Sequence, residues 1–194
     1  MLKQTVLDRY EQTTDGKRVI DVAAQQVEAL YNNYDRNAPY IRRDLDQELV
    51  EYLIEAAQEI HPEPFVIQFT LTQPPDESQQ SRILGSINAY FLYLIEIEQR
   101  KLVGMFHRSA ILFCIGAFIL FFAISANQTL DKDSSVLAQV FAEGLTIAAW
   151  VSLWEALAVF LIEWFPHHKK IRLYQKLAHA AVSFKGEGAS VTRS

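Results

Sequence analysis

The chain has one cysteine in 194 residues, Cys114. That excludes an intramolecular disulfide and an all-cysteine metal site. Because Cys114 lies inside an apolar run, it reads as a small hydrophobe. No Gly-rich phosphate loop is present, and the one Gly-x-Gly, Gly186–Gly188, sits in the tail. With no Ser-His-Asp order and no cysteine nucleophile either, the sequence predicts neither catalysis nor a cofactor, and no metal site. Basic charge is also scarce: 18 Lys and Arg stand against 23 Asp and Glu, a net charge of −5. Residues 1–95 carry 8 bases and 15 acids, a net of −7, whereas residues 96–194 carry 10 and 8, a net of +2. An acidic front half argues against nucleic acid as a partner, since phosphate contacts want a basic face.

What is abundant is apolar side chain, half of the residues. The mean hydropathy of +0.03 averages two unlike halves. Ser109 to Ala126 reads SAILFCIGAFILFFAISA, 18 residues without a charge. At about 1.5 Å per residue this just crosses a hydrocarbon core of about 30 Å. Gly144 to Phe165 is a second run of 22 residues, holding Glu155 and Glu163 but no Lys or Arg. The pair predicts a transmembrane hairpin, with Trp164 and Phe165 as interface anchors beside Lys169 and Lys170, and a helix exit at Pro166. Arg100, Lys101 and Arg108 precede the first run, and Lys169, Lys170, Arg172 and Lys176 follow the second. The connecting segment offers Lys132 against Asp131, Asp133 and Glu143. The positive-inside rule therefore predicts two spans with both termini in the cytoplasm.

The remainder reads as a small α/β domain of two or three strands. Arg18–Ala24 alternates like a short strand, and Asp44 or Asp46 caps a helix through about Glu59. Phe65–Thr72 is the clearest strand, with Phe65, Ile67, Phe69 and Leu71 on one face. Asp76 caps a further helix carrying the stripe Ile83, Ile87, Tyr90/Phe91, Leu94 and Ile97. No proline falls between Glu77 and Ala126, so this helix is predicted to continue into the first span, with Gly104 as a possible hinge. A helix from Ile171 and a short strand at Val182–Phe184 follow. The resulting domain order is a flexible start (1–17), the α/β part with its leading helix (18–108), and the first span (109–126). An external loop (127–143), the second span (144–165), a cytosolic helix (166–184) and a disordered tail (185–194) complete it. A helical crossover brings such strands in parallel, and so thin a core gains from packing on other subunits.

ALYNNYDRNAPYIRRDLD (Ala29–Asp46), the long helix into SAILFCIGAFILFF, and AAWVSLWEALAVFLIEWFPHHKKIRLYQKLA (Ala148–Ala178) form an ordered set. The set resembles a family of uncharacterised bacterial two-span membrane proteins with LFN-x-x-DPSPF-x-x-x-DLD and GWVA-x-W-x-PLEIFLYDWWP motifs. Asn32, Asp35, Pro39, Asp44, Leu45 and Asp46 match the first motif. Trp150, Trp154, Phe160, Leu161, Trp164 and Pro166 match the second, while Ala156 and Ala158 stand where the family has Pro and Glu. The resemblance implies the architecture and carries no activity.

Glu155 is the most informative residue, because a charge at the bilayer centre costs about 2.5–3.5 kcal/mol. A protonated Glu155, one bonded across a subunit interface, and one lining water are the three outcomes. Ser152 shares its face as a potential partner, and Ala148, Ala149, Ser152 and Ala156 offer a small-residue surface for helix packing. Trp150 and Trp154 share a second face. His107, His167, His168 and Glu163 gather near one membrane face without a tight ligand spacing, so they read as a headgroup-facing cluster. Asp35, Arg36, Arg42, Arg43, Asp44 and Asp46 crowd a Pro-containing loop that reads as capping and salt bridging, or as a docking loop. Two functions follow. One is a homo-oligomeric assembly in the lipid bilayer that organises the membrane or recruits a cytosolic protein. The other is a cation pore presenting Glu155 between Glu143 and Glu163.

Overall fold

The computed structural model describes residues 6–35, 39, 42–129 and 136–186. Elements follow in the order β1 (Arg18–Ala24), α1 (Gln47–Ile60), β2 (Phe65–Leu71), α2 (Glu77–Thr129), α3 (Val136–Ala178) and β3 (Ala181–Gly186). The strands form one parallel sheet in the order β1-β2-β3. Arg18 pairs with Phe65, and Ile67 pairs with both Ile20 and Val182. Parallel pairing follows from the connections: α1 carries the chain from β1 to β2, and α2 and α3 carry it from β2 to β3. The chain divides into two compact units, Met1–Glu96 with Ile171–Ser194, and Ile97–Lys170.

In the first unit β2 is central and alternates, with Phe65, Ile67, Phe69 and Leu71 buried. One core cluster joins this face to Val50, Leu53 and Ile60 of α1, Ile83, Ile87 and Phe91 of α2, and Leu173 and Leu177 of α3. Phe184 of β3 stacks on Phe69 at 5.9 Å. Helix starts are set by carboxylates. Asp46 accepts from the Glu48 and Leu49 amides at 3.0 and 3.2 Å. Asp76 accepts from the Gln79 amide at 2.6 Å while the Gln79 side chain accepts from the Asp76 amide at 3.0 Å, a reciprocal capping box. The buried polar pair Tyr31 and Ser86 is satisfied internally at 2.7 Å, and Ser86 also donates to the Ile83 carbonyl. The start of the chain, expected as a flexible 1–17, folds onto this unit from Val6. Leu7 is buried, the Val19 amide donates to the Glu11 carbonyl, and Gly16 turns the chain at φ 77°. Only a residue without a Cβ takes that left-handed conformation at no cost.

The second unit is a pair of antiparallel helical segments. Phe106 packs edge-on against Phe160 at 5.1 Å, and Gly116 lies against Leu153. A Cβ at Gly116 would stand 3.0 Å from Leu153 Cγ and 3.1 Å from its backbone nitrogen. The buried positions repeat every seven residues: Ser109, Gly116 and Ala123 on α2, Ala142, Ala149 and Ala156 on α3. A seven-residue repeat keeps one seam facing its partner along two supercoiled helices, and small residues let the backbones approach. The seam takes two of the four small residues read in the sequence as a packing surface. Ala149 and Ala156 are buried, but Ala148 is exposed. Ser109 Oγ is buried without a hydrogen-bond partner among the described residues.

Two expected helix ends are absent. Pro166 lies inside α3, and the segment expected as a loop, 127–143, is helical up to Thr129 and again from Val136. Pro166 removes one donor, which costs about 3 kcal/mol in a helix interior. The helix persists because His167 just beyond it is held by Glu98, and Ile171, Leu173 and Leu177 further on are buried. The backbone is also helical at Gly104, with open space around it.

These two glycines of α2 predict opposite outcomes. Gly104→Ala raises stability by about 0.5–1 kcal/mol through helix propensity. Gly116→Val lowers it by about 1–3 kcal/mol by forcing the backbones apart. Thermal unfolding of the purified chain followed by circular dichroism reads both.

Candidate functional site

The best-built polar cluster lies in the second unit, around Glu98. This residue sits three and seven positions beyond Ile95 and Phe91 and so continues the buried stripe of α2. It is 4% exposed. One carboxylate oxygen accepts from Lys101 Nζ at 2.9 Å, and the other lies 2.5 Å from His167 Nδ1 of α3. Burial pushes the Glu98 carboxyl up, but the hydrogen bonds from Lys101 and His167 and the charges of Lys101 and Lys170 outweigh it and hold it below the usual glutamate range. An ionised carboxylate only accepts, so His167 Nδ1 carries the shared hydrogen. The cluster ties α2 to α3 across 69 positions of sequence.

Two histidines of the cluster expected to face headgroups have separate partners. His167 is engaged by Glu98, and His168 stacks on Trp164 at 5.1 Å. Among the described residues no group of three His, Cys, Asp or Glu side chains could hold a metal ion. Trp164 and Phe165 are exposed, and Lys169 Nζ stands 4.3 Å over the Phe165 ring. Lys170 reaches the Glu98 carboxylate only through its field.

On α3, Glu155 is exposed, and so are Trp150, Trp154 and Glu143. Ser152 does not bond to Glu155; its hydroxyl donates to the Ala148 carbonyl at 2.9 Å, the local acceptor one turn back. The side chain of Glu163 lies outside the described set, although its backbone is helical.

No family model matches this chain, no curated protein matches it, and no solved structure matches it. The site is therefore read from its own geometry.

The loop residues of the first unit are largely structural. The Asp44 carbonyl accepts from the Asn32 amide at 2.9 Å, the Asp46 amide donates to the Leu30 carbonyl at 2.9 Å, and the Asp46 side chain caps α1. Arg43 lies 5.9 Å over the Tyr31 ring. Arg42 is exposed, Arg36 lies outside the described residues, and so does the side chain of Asp35.

Glu98 was not among the residues singled out in the sequence, although a signal was there. An acid at the i+7 position of an apolar stripe is a buried acid in search of a cation. Its partner His167 could not be read, because their proximity depends on how α2 meets α3.

The depressed Glu98 pKa predicts a pH dependence. A carboxylate that binds its proton less tightly when folded stabilises the fold above the ordinary carboxylate range and loses that contribution as the pH falls through about 4 and below. Glu98→Gln is expected to destabilise the chain by about 1–3 kcal/mol at pH 7, with the difference from the unaltered chain shrinking towards pH 3. Chemical denaturation at the two pH values measures it.

Proposed function

We propose that the chain is a two-span protein of a bacterial inner membrane that works as a homo-oligomer, organising the membrane or recruiting a cytosolic partner without chemistry of its own. The observation that carries this reading is the outward face of the two long helices. Both are long and apolar enough to cross a bilayer, yet only 17% and 11% of their most apolar windows is buried. A core helix of a soluble protein would be mostly covered. Phe113, Phe118, Phe121, Trp150, Trp154 and Ile162 are all more than half exposed, Trp154 at 73%. Apolar area of that size wants lipid or protein against it.

The finer topology follows from charge. Arg100, Lys101 and Arg108 before the first span, and Lys169, Lys170, Arg172 and Lys176 after the second, favour cytoplasmic termini. In this arrangement α2 runs from the cytosolic sheet unit into the first span at 109–126, and α3 returns through 144–165. The likeness to two-span bacterial proteins at Ala29–Asp46 and Ala148–Ala178 supports the same layout.

Homo-oligomerisation is favoured by Glu155, an exposed acid in the middle of an apolar helix with no cation in either span. A neighbouring copy is the nearest source of a hydrogen bond in hydrocarbon. The alternative, a cation pore lined by acids of the second span, is weaker. Glu143 and Glu155 are twelve positions apart, which turns them roughly 120° from each other on a helix, so they do not line one face.

The reading predicts that the full chain stays with membranes after a high-salt and alkaline wash and migrates in mild detergent as a multimer. Glu155→Gln, which keeps the hydrogen-bonding shape, retains the multimer, and Glu155→Ala loosens it to smaller species. A monomeric unaltered chain by light scattering defeats the assembly. Cation flux into proteoliposomes that is lost in Glu155→Gln turns the reading to the pore.

A further inference from the structure

At the amino-terminal edge of the sheet, entirely within the first unit, lies an open cleft of about 600 Å³ bordered by the turn before β1, the Pro62–Phe65 entry to β2, and the end of α3. Lys17, Arg172, Lys176 and His179 line it, and Glu63 is the one carboxylate among its described lining residues. Glu63 is already bonded to Arg18 at 3.0 Å. None of the three Lys and Arg side chains in the lining has an ion-pair partner among the described residues. Lys17 comes from the acidic amino-terminal half and Arg172, Lys176 and His179 from the more basic carboxy-terminal half, and the fold brings them to one cleft.

Two helices end at this cleft, and basic residues near a helix C-terminus can answer its exposed carbonyls. Here that demand is largely met by the backbone. The Ala57, Ile60, Gln175 and Leu177 carbonyls accept from the His61, Glu63, His179 and Ala180 amides, and the Pro64 carbonyl accepts from the Arg18 amide. Lys176 gives one contact of 3.3 Å to the Pro62 carbonyl, and His179 Nδ1 lies 2.9 Å from the Gln175 carbonyl. That leaves the Lys17 ammonium, the Arg172 guanidinium and the remaining Lys176 donors without an acceptor among the described residues. A concave site lined by several cations concentrates anions, and the guanidinium fork with two ammonium groups suits phosphate oxygens.

We propose that this cleft binds a phosphate group, carried either by a small soluble anion or by the headgroup of an anionic lipid. The proposal does not depend on the oligomeric reading above, since every residue it uses lies in the sheet unit. The test titrates the full chain in a neutral detergent with two probes, inorganic pyrophosphate and short-chain phosphatidylglycerol, by calorimetry. Saturable binding of pyrophosphate assigns a soluble ligand, and saturable binding of the lipid alone assigns a headgroup. In either case the doubly altered chain Arg172→Gln/Lys176→Gln binds about tenfold more weakly, and Lys17→Gln, on a separate turn, weakens binding severalfold. Lys169→Gln/Lys170→Gln, outside the cleft, binds as the unaltered chain does. Thermal melts of all variants separate lost binding from lost folding. Failure of both probes to saturate at millimolar concentration overturns the proposal. So does undiminished binding by Arg172→Gln/Lys176→Gln and Lys17→Gln.

Discussion

Two backbones that come as close as Gly116 and Leu153 leave no room between them for a large side chain. That approach governs the second unit. The seam takes Ser109, Gly116 and Ala123 from one helix and Ala142, Ala149 and Ala156 from the other. The phenylalanines, tryptophans and isoleucines of the same helices must then face away. In water this is the reverse of a globular core, where large apolar residues are inside and small polar ones outside. In lipid it is the expected order, because tails are as apolar as leucine and helix association rests on close packing and polar contacts. The small seam and the apolar exterior are therefore one fact seen from two sides.

The sheet unit obeys the opposite rule. Its large residues, Phe69, Phe91, Ile67 and Leu53 among them, are fully buried, and its polar groups are satisfied locally. Tyr31 meets Ser86, Asp46 and Asp76 cap their helices, and Asn88 donates to the Ala178 carbonyl at 2.8 Å. A three-stranded parallel sheet is small for such a core, since parallel sheets are commonly covered on both faces. Strands β1 and β2 are joined by a short crossover, but β3 arrives only after both long helices. The sheet is complete only when the helices of the second unit have brought the chain back, so folding of the two units is coupled through connectivity.

Much of the sheet unit was legible in the sequence, and for identifiable reasons. β1 and β2 alternate with period two, so their faces can be read directly; Arg18–Ala24 is observed as read, and the strand read as Phe65–Thr72 ends one residue earlier, at Leu71. Asp46 and Asp76 stand one turn before apolar stripes, where a carboxylate has four unpaired amides to accept from. Local chemistry of this kind needs no knowledge of the rest of the fold. Three of the differences are non-local. Pro166 was read as a helix end because a proline lacks a donor, yet the turns beyond it are held by contacts to residues far away in sequence. Of the small residues read as a packing surface, Ala148, Ala149, Ser152 and Ala156, only Ala149 and Ala156 are buried, because small residues crowd that stretch and the partner helix decides which of them faces inwards. Glu98 with His167 is the extreme case: each is unremarkable alone, and their pairing exists only after α2 and α3 have met.

Glu98 and Glu155 show how the chain treats an acid on an apolar helix in two environments. Glu98 lies outside the uncharged run, where Lys101 is three residues away and His167 is within reach, so the fold can bury it and keep it ionised. A buried carboxylate with one partner removed is strongly unfavourable, and with both in place it is a specific link between two helices. Glu155 has no such choice. No lysine or arginine occurs in either apolar run, Ser152 spends its hydroxyl on the backbone, and the close seam admits nothing as large as a glutamate. The carboxyl is therefore left on the outer face, and in the proposed membrane setting lipid tails would have no donor to offer it. Whatever satisfies it comes from water or from another protein surface, and the same geometry that makes the helix pair self-contained leaves this one group dependent on something beyond it.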